Sequence, residues 1–372
     1  PGFYQDVVVF DYRSLYPSII ASHNISIGTL NCSCCDTQKV ETKSGKHWFC
    51  EKRRGFLSKV IEDLITRRAR IKEMLKQKDD LLLYARSITL KYLANSFYGY
   101  LGFEIARWYC HECAASTTAF GRHYVQDVMK KAEEEGYEVI YGDTDSAMLL
   151  LGDKSRKDAL LFAEKVNQNL PRLMELELEG FYPRAIFVPI KGTDIGAKKK
   201  YAMIDDIGKI KIRGFETVRR NWSPIAKEVQ RDVLDILLRE GNVEKAVKYV
   251  KIIVEQLRKH EVPVKKVTIH TQLQKKISEY SSIGPHVAAA KIMEEEGYPV
   301  GPGSLIKYVV VKGSGRIRDK VKLPEDVSKD DYDSDYYIDN QVVPSVSSIF
   351  LALGYETNDL LIKGAQSKLG DY

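Results

Sequence analysis

The stretch from residue 138 to residue 151 restricts this chain more than any other. Glu138-Val139-Ile140-Tyr141 and Ala147-Met148-Leu149-Leu150-Leu151 are two short apolar runs, and Gly142-Asp143-Thr144-Asp145 lies between them. Apolar runs of this length flanking a Gly-Asp turn predict a β-hairpin. Its tip would carry two carboxylates. Another apolar run, Val7-Val8-Val9-Phe10, reads as a buried strand that ends at Asp11. If these strands neighbour one another in a sheet, Asp11, Asp143 and Asp145 meet at its edge. Like charges so crowded repel and are costly without cations. Taken singly, Asp11 serves as well as a helix cap, and Gly142-Asp143 as an ordinary turn. Together, each in an apolar frame, they point to a site for a hard cation such as magnesium, which prefers oxygen ligands.

Helical periodicity follows in the next segments. Phe56, Val60, Leu64, Ile71 and Leu75 share one face of a helix from Gly55 to about Lys78, with bases opposite. A second helix is expected from Leu81 to Tyr98, stopped by Gly99, and the two fit an antiparallel pair. A further helix is expected over Thr117–Gly136. After Glu216 the character changes, with amphipathic helices over Ala226–Leu238 and Val243–Leu257, so a mostly helical terminal domain is placed from about Thr217. At 372 residues the chain can hold two or three domains. No apolar run is long enough to span a bilayer and no secretory signal opens the sequence, so an intracellular protein is expected. The start at Pro1 reads as part of a longer protein or one subunit of a split one.

Net charge is +6, too small an excess to argue for a polyanionic partner by itself. Its distribution argues more. Bases gather at Arg67, Arg68, Arg70 and Lys72, at Lys198–Lys200 and between Lys209 and Arg220, whereas acids collect over Asp326–Asp339. Such separation favours a polyanion on one face. Arg68 and Lys72 are four apart on one predicted helix, and Lys91, Asn95 and Tyr98 share a face of the next. Helical Lys and Arg are usually a solvated face. Two helices presenting this set, however, could grip a triphosphate, because Arg forks onto oxygens and Lys adds a point charge.

Three segments carry a resemblance. Asp11-Tyr12-Arg13-Ser14-Leu15-Tyr16-Pro17-Ser18-Ile19-Ile20 resembles motif A of family B DNA polymerases, Lys91-Tyr92-Leu93-Ala94-Asn95-Ser96-Phe97-Tyr98-Gly99 motif B, and Tyr141-Gly142-Asp143-Thr144-Asp145-Ser146 motif C. They stand in the family's order and at family-like separations. The likeness continues through Lys198–Tyr201 and Arg213–Trp222 to Tyr336-Tyr337-Ile338-Asp339-Asn340-Gln341, in an archaeal flavour. It implies an α+β fold: an antiparallel palm sheet (1–54 and 100–216, with a cysteine-bearing loop at 31–50), a two-helix fingers insertion (55–99), and a mainly helical thumb with a tail (217–372).

The resemblance also implies a chemistry: template-directed addition of deoxynucleotides to a primer 3′-hydroxyl, with pyrophosphate released, in replication or repair. Phosphoryl transfer asks a protein mainly for positioning and charge neutralisation, with two Mg2+ ions or Mn2+ in their place. Asp11 and Asp145 would bridge both ions, the backbone carbonyl of Tyr12 would be a further ligand, and Asp143 would be the supporting carboxylate. Arg68, Lys72, Lys91 and Asn95 match the family's triphosphate-binding positions. Tyr16 resembles its steric gate against a 2′-hydroxyl, and Tyr98, Ser14 and Leu15 complete the nucleotide pocket. Without the motif, Tyr16 would read as a core tyrosine. Lys198-Lys199-Lys200-Tyr201 resembles the element that meets the primer–template minor groove, and Arg213 extends its basic track towards the thumb. Lys200 stands where arginine is common, which keeps the charge but loses the bidentate fork. The expected partners are primer–template DNA, deoxynucleoside triphosphates, a sliding clamp, and an N-terminal polymerase or exonuclease part on another chain. No membrane contact is expected, and the expected location is the cytoplasm, at the nucleoid.

Six cysteines remain, at 32, 34, 35, 50, 110 and 113. Cys110-His111-Glu112-Cys113 ordinarily raises zinc or redox chemistry. Archaeal relatives of this family from hot environments carry structural disulfides at the Cys-x-x-Cys and at a pair matching the Cys34/Cys35-to-Cys50 region, so disulfides (Cys110–Cys113 among them) or free thiols are expected at both places in preference to zinc. Which of Cys32, Cys34 and Cys35 would pair with Cys50 stays open. Gln366, Leu369 and Tyr372 resemble a clamp-binding peptide whose second aromatic would be residue 373. Two rivals stand beside the polymerase reading. One is a non-catalytic DNA-binding or assembly module of a split polymerase, which would not need crowded carboxylates. The other is a metal-dependent nuclease, which would not need a triphosphate face and would release nucleoside monophosphates instead of pyrophosphate.

Overall fold

Val7, Val8, Val9 and Phe10 are completely buried, so this strand reads as a continuous apolar run instead of an alternation. It forms the middle of β1 (Gly2–Tyr12) in a computed structural model that describes residues 1–35, 39–190, 192–219, 221–356 and 360. The chain divides into two compact units, one of residues 6–181 and the other of 1–5 with 182 onward; the division falls inside β1 and inside β6 (Leu176–Pro189). Both are mixed α and β with antiparallel pairing.

In the unit 6–181, β1 pairs antiparallel with β5 (Ser146–Leu150), and β5 pairs with β4 (Glu138–Gly142) as the expected hairpin. The register runs from Val7 opposite Leu150 to Asp11 opposite Ser146. Helices α4 (His111–Glu134) and α5 (Arg156–Asn167) contribute Phe120, Val128 and Phe162 to a core with Val8, Phe10 and Leu149. Phe10 meets Phe162 edge-on at 5.4 Å between ring centres. The short helix α1 (Leu15–Ser22) follows β1 directly and buries Leu15, Ile19 and Ile20 in the same core.

Helices α2 (Phe56–Gln77) and α3 (Leu81–Leu101) pack along one another. Asp80 starts α3 by accepting from the N–H groups of Leu82 and Leu83 at 2.9 and 3.0 Å, the usual work of an N-cap carboxylate. Two boundaries differ from expectation. Gly99 does not stop α3, which continues to Leu101 before Gly102 donates back to the Tyr98 carbonyl. Helix α4 begins six residues before the predicted Thr117, because Cys110 takes the N-cap position and its sulfur accepts from the N–H of Cys113.

The other unit contains the antiparallel strands β6, β7 (Gly196–Ile204) and β8 (Ile210–Arg213), with Ala185 opposite Met203 and Tyr201 opposite Arg213. Helices α6 (Pro224–Glu240) and α7 (Val243–Arg258) match the two amphipathic segments. Beyond them helices at Pro285–Glu295 and Val343–Ala352 continue the unit, together with a small sheet that the sequence did not suggest. Strands β9 (Ile269–Gln272), β10 (Leu305–Val310) and β11 (Val321–Lys322) make a three-stranded sheet. The β-branched run Val309-Val310-Val311 favours a strand there. No described helix is long and apolar enough to cross a membrane.

Two glycines test these backbone assignments in opposite directions. At Gly214 φ is +68°, and an added Cβ would lie 2.1 Å from the Lys199 carbonyl oxygen. Gly214→Ala should therefore lower the unfolding free energy by about 2 kcal/mol or more. Gly99 lies in α3 with nothing within 4 Å of its Cβ position. Gly99→Ala should raise stability by up to about 1 kcal/mol. Urea unfolding of both variants checks the pair; equal effects would refute the difference in backbone.

Candidate active site

The β1–β5 ladder brings the acidic segments together. Past Asp11, which faces Ser146 across the ladder, the Tyr12 N–H donates to the Asp145 carbonyl oxygen at 2.8 Å. Asp143 is held in the hairpin by its N–H to the Ser146 carbonyl oxygen at 2.9 Å, and its carboxylate accepts from the Thr144 N–H at 2.8 Å. Asp11 and Asp143 are half-buried, and Asp145 is exposed. All three carboxylates thus lie at one end of two neighbouring strands. Their donor chemistry, hard oxygens on rigid backbone, fits magnesium or manganese. They do not close into a tight cluster: among the described residues the one group of three or more acid, histidine or cysteine ligand atoms within 4.8 Å is Cys32, Cys34, Cys35 and Cys50.

Beside this edge is a pocket rich in positive charge. Arg68 and Lys72 of α2 line a cavity of about 440 Å³ together with Arg13, Ser14, Ser18 and Glu175. Ser14 precedes α1 in the left-handed region, at φ 49° and ψ 53°, a costly conformation for a non-glycine residue. Its hydroxyl accepts a long contact of 3.5 Å from Arg68 Nη1. The Nε of Arg68 is buried with no hydrogen-bond partner, an orphaned donor in a pocket that can take an oxyanion. Burial first, and then the neighbouring Arg13 guanidinium, hold both Arg68 and Lys72 below their usual ranges, and Glu177 opposes this in part. An anion entering the pocket would relieve that crowding.

Arg13 joins the same site, although its sequence context alone points to no role for it. Its Nη1 donates to Glu175 at 2.6 Å and its Nε to Glu177 at 2.6 Å. These side chains are more than a third exposed, so the pairs orient Arg13 more than they stabilise the fold. Glu175 and Glu177 flank buried Leu176 at the start of β6.

Tyr16 and Tyr98 come together as expected, with ring centres 4.4 Å apart. Tyr16 also lines a cleft of about 460 Å³ shared with Arg122, Met129, Gly142, Asp143 and Thr144. Burial, then Tyr98, then Asp145 push the Tyr16 hydroxyl above the usual phenol range, with Arg122 opposing in part. Gly121, also unassigned from sequence, permits this placement: a Cβ there would lie 3.1 Å from the Tyr16 ring and 3.5 Å from Leu15. Leu15 itself is buried in the core, whereas Lys91 and Asn95 are exposed on α3 and do not line the Arg68 cavity. Tyr12 packs against Tyr124 at 6.3 Å.

The residues expected at a DNA duplex lie in the other unit. Lys199 and Arg213 are exposed. Lys200 is half-buried: its Nζ donates to Glu216 at 2.8 Å and lies 5.2 Å from the centre of the Phe215 ring. Tyr201 is buried against Phe187. Gln366, Leu369 and Tyr372 lie outside the described residues.

All six cysteines are thiols. Cys110 and Cys113 form the α4 cap described above, with Cys113 holding the Cys110 thiol below its usual range. The Cys34, Cys35 and Cys50 sulfurs lie 3.4 to 3.8 Å apart. The Glu51 N–H lowers the Cys35 thiol. Burial would raise Cys50, but the Arg53 N–H, Cys34 and the Lys52 N–H outweigh it and bring the thiol down to about 6.

This arrangement has counterparts among known proteins. The model of the family described as DNA polymerase family B matches residues 1–353. A DNA polymerase of Thermococcus sp. (strain 9oN-7) is 45% identical over 96% of this chain and 47% of its own length. One from Desulfurococcus sp. (strain Tok) is 43% identical over 99% of this chain and 48% of its own length. The chain therefore spans about half the length of these curated relatives. The solved family B DNA polymerase of the hyperthermophilic archaeon Pyrobaculum calidifontis superposes with a TM-score of 0.73 at 34% identity, covering 94% of this chain and 45% of that one.

The close approach at Gly121 is testable by itself. Gly121→Ala should cost about 1 kcal/mol in urea unfolding, because the Tyr16 ring must give way. The cost should shrink in a Tyr16→Ala background. An undiminished cost would show that the ring is not what the new methyl meets.

Proposed function

Because this chain belongs to DNA polymerase family B, we propose that it carries the nucleotidyl-transfer centre of a template-directed DNA polymerase. The reaction adds a deoxynucleoside monophosphate to a primer 3′-hydroxyl and releases pyrophosphate. The observation that carries the reading is the hydrogen bond from the Tyr12 N–H to the Asp145 carbonyl, which holds two acidic segments at the end of one ladder. The Arg68–Lys72 cavity, lined also by Ser14 of the first segment, supports it from the substrate side.

Asp11, Asp145 and the Tyr12 carbonyl would hold two divalent cations, magnesium or manganese, with Asp143 supporting them. Such cations, when bound, lower the pKa of the attacking hydroxyl and neutralise the charge of the leaving pyrophosphate. Arg68 and Lys72 bind the triphosphate oxygens, Arg68 through its buried Nε donor, which pairs with no group of the protein. Lys91 and Asn95, exposed on α3 outside that cavity, would add contacts to the part of the triphosphate that projects from it. Tyr16, backed by Tyr98 and seated over Gly121, would exclude a 2′-hydroxyl from the sugar site. Lys199 and Arg213 meet phosphates of the primer–template without reading sequence. Lys200, turned onto Glu216, positions this strand.

In this reading residues 1–54 and 100–216 form a palm, 55–99 the fingers and 217–372 a thumb. The partners are primer–template DNA, deoxynucleoside triphosphates, a sliding clamp reached through Gln366, Leu369 and Tyr372, and an N-terminal polymerase or exonuclease part. The activity would be exercised at the nucleoid, in replication or repair.

Primer extension by the purified chain, with a labelled primer–template, deoxynucleotides and Mg2+, tests the reading. Asp11→Ala/Asp145→Ala should lower extension by about a thousandfold or more, with duplex binding retained. Arg68→Ala should raise the KM for deoxynucleotide about tenfold to a hundredfold through lost charge-assisted bonds. Tyr16→Ala should admit ribonucleotides. Extension that survives loss of both aspartates would refute the reading, and unchanged sugar discrimination would remove Tyr16 from it.

A further inference from the structure

The four cysteines of the segment from Cys32 to Cys50 are drawn together by the backbone around them. Strands β2 (Val40–Thr42) and β3 (Gly45–His47) form a small hairpin that folds the chain back on itself. Leu30 bridges to Phe49, the Asn31 N–H donates to the Trp48 carbonyl at 2.8 Å, and the Cys50 N–H to the Thr29 carbonyl at 2.9 Å. The Trp48 indole N–H donates to the Cys32 carbonyl at 2.9 Å. This ladder sets Cys32 beside Cys50, and the turn that follows brings in Cys34 and Cys35. All four sulfurs then lie within 4.8 Å of one another. Cys32 and Cys50 are buried, Cys35 is half-buried and Cys34 is exposed.

We propose that Cys32, Cys34, Cys35 and Cys50 bind a single structural zinc ion. A tetrahedron of thiolates about 2.3 Å from zinc has sulfur–sulfur edges of about 3.8 Å. The separations of 3.6, 3.4 and 3.8 Å among Cys34, Cys35 and Cys50 are close to that edge. A disulfide would engage two sulfurs and leave the other two facing it. An iron–sulfur cluster sets several iron atoms between its thiolates and needs them farther apart. Soft thiolate ligands in a closed set of four select zinc over the hard cations of the aspartate edge. Lys52 and Arg53 follow Cys50 closely in sequence, with Glu51 between, and bring net positive charge to the segment that would hold a zinc tetrathiolate.

The segment also needs such a clip. Its strands are three residues each, and it places few apolar side chains in the core, chiefly Val40 and Phe49. A segment with so little buried area is commonly held by a metal or cross-link. The Cys50 carbonyl accepts from Asn24 Nδ2, and Asn24 Oδ1 accepts from the N–H of Gly55, the residue that caps α2, at 2.8 Å. Zinc at the cysteines would thereby stiffen the base of α2, the helix carrying Arg68 and Lys72. This site is independent of the aspartate edge and of the activity proposed above.

The test is metal content. The full 372-residue chain, purified reduced from zinc-supplemented cells without chelator, should hold about one zinc ion by elemental analysis. Cys34→Ser and Cys35→Ser should each lower retained zinc about tenfold after dialysis against a weak chelator, whereas Cys110→Ser should retain it. Co2+ added to the metal-free chain should give the visible bands of a tetrahedral thiolate site, displaced by Zn2+ and absent in Cys34→Ser. Buried Cys50 risks misfolding when replaced, so exposed Cys34 decides the matter. Folded, reduced chain with no zinc and no Co2+ bands would overturn the proposal. So would zinc content unchanged by both serine variants, or iron with sulfide in place of zinc.

Discussion

Five residue pairs hold β1 against β5, from Val7 opposite Leu150 to Asp11 opposite Ser146, and the candidate active site depends on their register. Side chains alternate along a strand, so a slip of one residue would turn Asp11 to the opposite face and part the Tyr12 N–H from the Asp145 carbonyl. The slip is opposed by the complete burial of Val7, Val8, Val9 and Phe10, since no shifted pairing could bury the same set. An apolar core thus fixes the positions of acids that would otherwise repel one another. The hairpin turn contributes at short range, through the Asp143 N–H bond to the Ser146 carbonyl.

Around that edge the charges are arranged by sign and by distance. Arg68 and Lys72 crowd against Arg13, and the crowding is moderated by Glu175 and Glu177. A cavity with excess positive charge, an orphaned guanidinium donor and a strained serine at its wall is poised for an anionic ligand. On the neighbouring cleft, Tyr16 gains its place from two directions, the Tyr98 ring and the missing side chain at Gly121. The site is therefore built as much by what is absent at a glycine as by what the motifs present.

The resemblance to archaeal family B polymerases, carried by three short motifs, agrees with the family to which the chain belongs. In residues 6–181 the acidic segments meet along one ladder, Arg68 and Lys72 share a cavity with Ser14, and Tyr16 meets Tyr98, whereas Lys91 and Asn95 stand outside that cavity; in the other unit the picture is mixed. There Lys199 and Arg213 are exposed, but Lys200 is turned inward to Glu216 and Tyr201 is buried. A run of lysines in sequence does not show which of them will pair with an acid of the same unit.

The hairpin, the strand before Asp11 and the spans of α2, α6 and α7 were readable from the sequence, because apolar periodicity and turn chemistry act over a few residues. Helix ends were less so: Cys110 capping α4 and Gly99 continuing α3 rest on local hydrogen bonds that a residue pattern does not report. What only the tertiary structure decided are the pairings across long stretches of chain. Arg13 finds Glu175 and Glu177 more than 160 residues away, Tyr16 finds Gly121, and three cysteines of one turn converge on Cys50. Sequence spacing sets which residues can share a helix face or a strand edge. Which faces then meet is settled by burial of the core between them, a property of the whole fold and of no single segment.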